Sequence, residues 1–189
     1  MKKVLLLILA ISLCVSIVGC GPRRSARLKA PSFDPQAIAN AAIKQYDLNG
    51  DGQISGDELD KAPSIKYAFP NMPAVTATEI ANRVRIWKES RLGLQIASAK
   101  FVKDGKPVDG AQVTVSSEDF MGGNKIQFSD TTNLTGVITL TAPNEDNLPG
   151  IQCGFYKIDV NYKGKTYNFG IEIGENAGGD APTFELKDK

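Results

Sequence analysis

The run Asp47-Leu48-Asn49-Gly50-Asp51-Gly52-Gln53-Ile54-Ser55-Gly56-Asp57-Glu58 constrains this chain more than any other feature. Asp47, Asn49 and Asp51 place side-chain oxygens at its first, third and fifth positions. Gln53 offers a backbone carbonyl at the seventh. Ser55 stands at the ninth, to ligate directly or through a water, and Glu58 closes the run with two carboxylate oxygens. Ca²⁺ takes about six to eight oxygens in a flexible cage, and this spacing can deliver them from one loop. Gly52 supplies the sharp turn at the sixth position, where the backbone adopts an angle that costs other residues more. Ile54, at the eighth, is the apolar residue that would pair with a partner loop. The competing reading is a solvated turn rich in Asp, Asn and Gly, which has no need to fill every position. The expected cofactor is therefore Ca²⁺, on Asp47, Asn49, Asp51, Gln53, Ser55 and Glu58.

The flanks read as helical over 33–93. Asp34 suits an N-cap and Pro35 the first helical position. Phe33 and Ile38 are spaced as a hydrophobic staple, and Ala39, Ala42, Ile43 and Tyr46 lie on one face. After the loop, Leu59 and Ala62 continue an exit helix that Pro63 cuts short. A second short stretch, 64–69, precedes Pro70. Thr76-Ala77-Thr78-Glu79 is a capping box opening a helix with Ile80, Val84 and Trp87 as its apolar stripe and Gly93 as its stop. This helix–loop–helix order resembles the EF-hand family, whose hands come in pairs. Val75, Thr76 and Glu79 would fall at positions 8, 9 and 12 of a second hand. Asn71, Met72, Pro73 and Ala74 supply no carboxylate there. The segment reads as a degenerate hand that keeps its packing without metal, or as a plain capped helix. In the first case Glu79 caps and binds nothing.

The N-terminus sets where such a loop would work. Met1-Lys2-Lys3 is a short positive head, and 4–18 is a mostly apolar run, short for a membrane span. It ends in Ile17-Val18-Gly19-Cys20, which resembles the lipobox of bacterial lipoproteins. An ordinary secretory signal or an uncleaved anchor is the alternative. The resemblance implies a signal peptide over 1–19, acyl chains on Cys20, and anchoring in the cell envelope, with Gly21 leaning toward the outer membrane. Several chains on one cysteine anchor stably where a single one is marginal. Residues 20–32 then form a flexible tether. Arg23, Arg24, Arg27 and Lys29 would lie against anionic head groups, at about 1 kcal/mol each, or be solvated spacer. Without Lys2 and Lys3, twenty basic residues face 21 acidic ones. That balance argues against nucleic acid. Cys153 is the one cysteine left, so no internal disulfide can form. It is a buried small hydrophobe, or a reactive or dimer-forming thiol.

From 94 to 189 the pattern changes to short β-rich runs separated by turns. Strands are expected at 94–102, 111–117, 125–128, 136–141, 155–162, 166–173 and 183–186. That predicts an α+β chain: a small helical region over 33–93, then a seven-stranded β-sandwich over 94–189. Asp104-Gly105-Lys106-Pro107-Val108-Asp109-Gly110-Ala111-Gln112-Val113 resembles the opening of carboxypeptidase-regulatory-like domains, which share the transthyretin-type sandwich. Two further stretches, 130–140 and 148–160, are similar to that family's later strands, in family order. The resemblance implies a binding or scaffolding module and carries no catalytic residues.

The chain has no histidine. That removes Ser-His-Asp and Cys-His nucleophilic schemes and histidine-based zinc catalysis. No phosphate-cradling glycine loop occurs. Glu118 and Asp119 are adjacent, so on a strand they would point to opposite faces rather than act as a pair. The chain is not expected to be an enzyme. The expectation is a lipid-anchored envelope protein that binds one structural Ca²⁺ and docks an envelope protein or polysaccharide. Its alternatives are a calcium-responsive switch, or an accessory module with Tyr162, Tyr167 and Phe169 as a sugar platform. Strand-face packing is the plainer role for those three aromatics.

Overall fold

The computed structural model describes residues 32–91, 93–123, 125–144 and 147–188. The expected signal segment, Cys20 and the tether up to residue 31 lie outside these residues. No helix among the described residues is long and apolar enough to cross a membrane.

Four helices come first: α1 (Pro35–Tyr46), α2 (Asp57–Lys61), α3 (Pro63–Ala68) and α4 (Ala77–Ser90). Asp34 caps α1 by accepting the Ala37 N–H at 3.1 Å, which satisfies one of the amides a helix start leaves open. Pro63 ends the exit helix and also begins the next one, α3, where its missing N–H costs nothing. Thr76 and Glu79 form the expected capping box on α4, with the Thr76 N–H donating to Glu79 Oε2 at 2.6 Å. That helix ends at Ser90, three residues before its predicted stop at Gly93, with its C-cap Arg91 in the left-handed conformation. Two three-residue strands, β1 (Gln53–Ser55) and β2 (Ala74–Thr76), pair antiparallel with Ile54 opposite Val75. Both side chains are fully buried. The spacing that put each at an eighth position thus places them face to face.

Residues 94–188 hold eight strands among the described residues, rather than seven. They are β3 (Ala97–Lys103), β4 (Lys106–Pro107), β5 (Gln112–Ser117), β6 (Gln127–Thr131), β7 (Val137–Leu140), β8 (Gly154–Tyr162), β9 (Lys165–Ile173) and β10 (Thr183–Glu185). The additional strand is β4, two residues closing a hairpin on β3. One sheet centres on β3, flanked by a parallel β10 and by antiparallel β4 and β7. The other runs β6-β5-β8-β9, antiparallel throughout. Strand β6 lies later than the expected 125–128. Its ladder on β5 runs from Ser116 opposite Gln127 to Gln112 opposite Thr131, while 119–121 form a 3₁₀ turn.

The sheets close on one core, with Phe101, Ile138 and Leu140 from the first against Val113, Val115, Ile158 and Ile171 from the second. The chain is therefore α+β with a β-sandwich. A second core lies between helices and sandwich. In it Phe155 of β8 sits between Trp87 of α4 (ring centroids 4.9 Å) and Phe120 (5.5 Å). The change at 93/94 is thus a change of secondary structure that the packing crosses. The approach is closest at Gly170 of β9, where a Cβ would stand 2.0 Å from the Ser64 nitrogen. Only a glycine lets α3 lie this near the sheet.

Candidate metal centre

The 47–58 loop is closed by its own carboxylates. Asp47 follows α1 and accepts the N–H groups of Gly50 (2.7 Å) and Asp51 (3.2 Å) on Oδ1, and that of Gly52 (2.9 Å) on Oδ2. Asn49 Oδ1 accepts from Asp51 N–H at 2.8 Å, and Asp51 Oδ1 from Gln53 N–H at 2.9 Å. Glu58 reaches back across the loop. Its Oε1 takes the N–H groups of Leu48 (2.8 Å) and Asn49 (3.1 Å), and its Oε2 that of Ser55 (3.1 Å). Both ends of the loop are thereby held together, and Gly52 makes the bend at φ +84°. The Ser55 N–H above all, with those of Leu48 and Asn49, holds the Glu58 carboxyl below its ordinary value, against burial and the Asp47 charge.

Among the described residues no three acidic or thiol side chains converge tightly enough to cage a metal by themselves. The loop carboxylates lie on backbone N–H groups. The donor set nevertheless fits a hard ion. Asp47, Asn49, Asp51, Ser55 and Glu58 offer side-chain oxygens and Gln53 a carbonyl, with no nitrogen or sulfur to favour a transition metal. Each carboxylate oxygen has more than one lone pair, so a hydrogen-bonded one can still ligate. The opposite β2 side contributes no carboxylate, and its Glu79 is spent on the cap.

A buried acid ties this loop to the sandwich. Glu118 is wholly covered and takes the Tyr46 hydroxyl on Oε2 at 2.8 Å and the Ser64 hydroxyl on Oε1 at 2.6 Å. Lys157 Nζ stands 3.9 Å away. Tyr46 immediately precedes Asp47, and Ser64 lies one helix beyond Glu58, so one carboxylate clasps both flanks of the loop. Burial first, and Glu118 beside it, push the Tyr46 phenol well above its ordinary range. Asp119 lies in the 3₁₀ turn and not on a strand; it pairs with Lys125 and with the same Lys157, at 3.2 Å each. Local pattern could not find this clasp, because its hydroxyls are 72 and 54 residues from Glu118. Glu118→Gln keeps the shape and removes the charge. It is expected to cost about 1–3 kcal/mol, read as a lower denaturant midpoint with an unchanged slope. An unchanged midpoint would remove Glu118 from the clasp.

The aromatics expected as a possible sugar platform are taken up otherwise. Tyr167 is buried; its hydroxyl donates to Asp188 at 2.8 Å and accepts from Lys103 Nζ at 2.9 Å. Phe169 packs on Phe184 and Phe101 (5.2 and 6.1 Å), and Tyr162 carries Lys163 over its ring at 5.1 Å. Tyr167 and Phe169 share one face of β9, turned to the core by strand alternation. Cys153 is buried, and burial pushes its thiol up to about 11, which leaves little thiolate for chemistry.

No protein-family model matches the chain, and no curated protein does. Among solved structures, transthyretin from Sparus aurata is 18% identical with a TM-score of 0.35, covering 48% of this chain and 87% of that one. A 9R-lipoxygenase from Cyanothece PCC8801 is 10% identical with a TM-score of 0.28, covering 79% of this chain and 24% of the lipoxygenase.

Proposed function

We propose that this is a lipid-anchored envelope protein whose EF-hand-like loop binds one Ca²⁺ as a structural clamp, and whose sandwich serves as a binding or scaffolding module. The observation that carries the reading is the complete oxygen set from Asp47 to Glu58 on a loop already closed end to end. The ion would add a bond network where N–H groups now hold the carboxylates. The Ile54–Val75 pairing supports a degenerate second hand that braces the first. The lipobox-like Ile17-Val18-Gly19-Cys20 supports anchoring through acyl chains on Cys20, so the loop would meet external calcium. The carboxypeptidase-regulatory-like reading draws support from where its motifs fall: Gly105 in the β3–β4 turn, and Ala111 and Val113 buried. Its partner would be an envelope protein or polysaccharide.

A clamp is favoured over a sensor. Sensor hands swing open to expose an apolar groove. Here such a swing would pull Trp87 from Phe155 and α3 from Gly170. Calorimetric titration of the full-length chain with calcium is expected to give one site per chain. With a single filled loop, the dissociation constant should fall at about 10⁻⁵–10⁻³ M, the weak extracellular range. Glu58→Gln should weaken it at least tenfold. A titration without saturable heat, or one that Glu58→Gln leaves unchanged, would remove the loop as the site.

A further inference from the structure

A cavity of about 210 Å³ opens where the helices meet the sandwich, between α3, α4, the start of β3 and the loop after β9. Its floor is Glu172, whose side chain is only 11% exposed. Glu172 Oε1 accepts the Trp87 indole N–H at 3.2 Å and faces Arg83 Nε at 3.6 Å. Arg83 is held from elsewhere. Its Nη2 donates to the Ala68 carbonyl at 3.0 Å, and its guanidinium lies 5.3 Å over the Phe69 ring. Glu172 Oε2 takes no hydrogen bond from a described residue. Gly174 leaves the way to this floor open, since a Cβ there would stand 3.2 Å from both Glu172 Oε1 and Trp87 Nε1.

The charge of the lining is unbalanced. Glu172, Glu175 and Asp180 face one cation, Arg83. Neither Glu175 nor Asp180 forms an ion pair with a described residue; Glu175 takes the Ser90 hydroxyl at 3.2 Å. Burial raises the Glu172 carboxyl, against the pull of Arg83 and Trp87. Burial and then Glu172 raise the Tyr67 phenol. Both directions agree with a partly desolvated cavity lined mainly by negative charge.

The walls decide which cation. Tyr67 and Ile86 are partly exposed and present a ring and an aliphatic chain that pack a methylene stem, while Trp87, packed on Phe33 and Phe155, offers only the N–H that it gives to Glu172. No three carboxylates converge here to hold a metal. The volume falls below the ~300–1,000 Å³ of sites for drug-sized ligands, so the occupant is small or is a single side chain. We propose that this cavity binds one protonated primary amine on a short alkyl stem, with Glu172 Oε2 as its charge partner, Glu175 and Asp180 as its acidic rim, and Tyr67 and Ile86 along its stem.

The chain's one tryptophan, Trp87, reports on the site directly. The full-length chain in non-ionic detergent, with saturating calcium, is titrated with n-butylammonium, with Nα-acetyl-lysine amide, and with the neutral 1-butanol. A saturable change in Trp87 emission is expected with an amine and not with the alcohol. Glu172→Gln and Gly174→Ala should each raise the dissociation constant about tenfold, since the first removes a charge-assisted hydrogen bond and the second fills the approach. Asp180→Asn, on the exposed rim, should weaken binding a few-fold and keeps the test open if Glu172→Gln does not fold. Tighter binding of the lysine amide assigns the amine to a polypeptide, and tighter binding of butylammonium to a free small molecule. Silence with both amines, an equal response to butanol, or undiminished binding in the folded variants overturns the proposal.

Discussion

Gly170→Ala is expected to destabilise the protein by about 3 kcal/mol or more, at the upper end of overpacking costs. The added Cβ would stand 2.0 Å from the Ser64 nitrogen, 2.3 Å from the Pro63 carbonyl carbon and 2.4 Å from the Ser64 Cα. All three are backbone atoms, so no side chain can rotate away, and α3 must leave β9 as a unit. That movement would also pull the Ser64 hydroxyl from Glu118 and loosen Ile65, which is fully buried. The sign is informative. Glycine to alanine without a clash stabilises by about 0.4–1 kcal/mol through the unfolded chain. A loss can therefore come only from the contact. For a chain of this size the melting temperature should fall by roughly 6–12 °C, at about 2–4 °C per kcal/mol. Gly178→Ala is the control: its nearest neighbour would be the Ile96 carbonyl at 3.8 Å, and the melting temperature should hardly move. If both variants melt with the parent protein, α3 does not lie on β9 as described.

Why the sequence disclosed some of this and withheld the rest follows from the range of each interaction. The closed geometry of the 47–58 loop was legible because all its oxygens fall within twelve consecutive residues, where spacing alone fixes position. The caps at Asp34 and at Thr76–Glu79 were legible for the same reason, each needing three residues. Strands were found by alternation, but their ends were not. Strand β3 begins at Ala97 and not at 94, because only Gln95 bridges to Ile151 before it. The short β4 fell between the strands expected at 94–102 and 111–117, and its pairing on Val102 and Lys103 has no hydropathy signature. The joining of helices to sandwich was hidden altogether. Trp87 read as one residue of a helix stripe, Phe155 as one of a strand, and Glu118 as an acid beside another acid. Their meeting depends on contacts tens of residues apart, which local pattern does not encode. Gly170 gave no signal either, for a glycine in a strand marks close approach or a bulge without saying which.

Calcium is expected to raise the melting temperature, and Glu58→Gln to abolish the rise. A ligand that binds only the folded state stabilises it according to its concentration over its dissociation constant. At about 2 mM calcium this gives about 3 kcal/mol for a constant near 10⁻⁵ M and about 0.6 kcal/mol near 10⁻³ M. Melts in calcium and in chelator should therefore differ by roughly 1–12 °C across that range, with the parent and variant curves converging in chelator more than in calcium. Acid adds a second axis to the chelator arm. The carboxyl of Glu58 is lowered in the folded state from its ordinary 4.5, so its stabilisation is present above that value and is lost as pH falls through the lower folded one. Glu172 runs the other way, because burial raises its folded value: its ionisation opposes folding, and protonating it between the raised value and 4.5 favours the folded chain. Glu58→Gln should thus flatten the loss of stability on acidification, and Glu172→Gln should steepen it. Calcium would bind, in their charged form, the same carboxylates that the backbone N–H groups hold, so added calcium should move the acid midpoint of the parent protein to lower pH while leaving that of Glu58→Gln in place. Identical melts with and without calcium at neutral pH would sink the clamp, whatever the acid limb does.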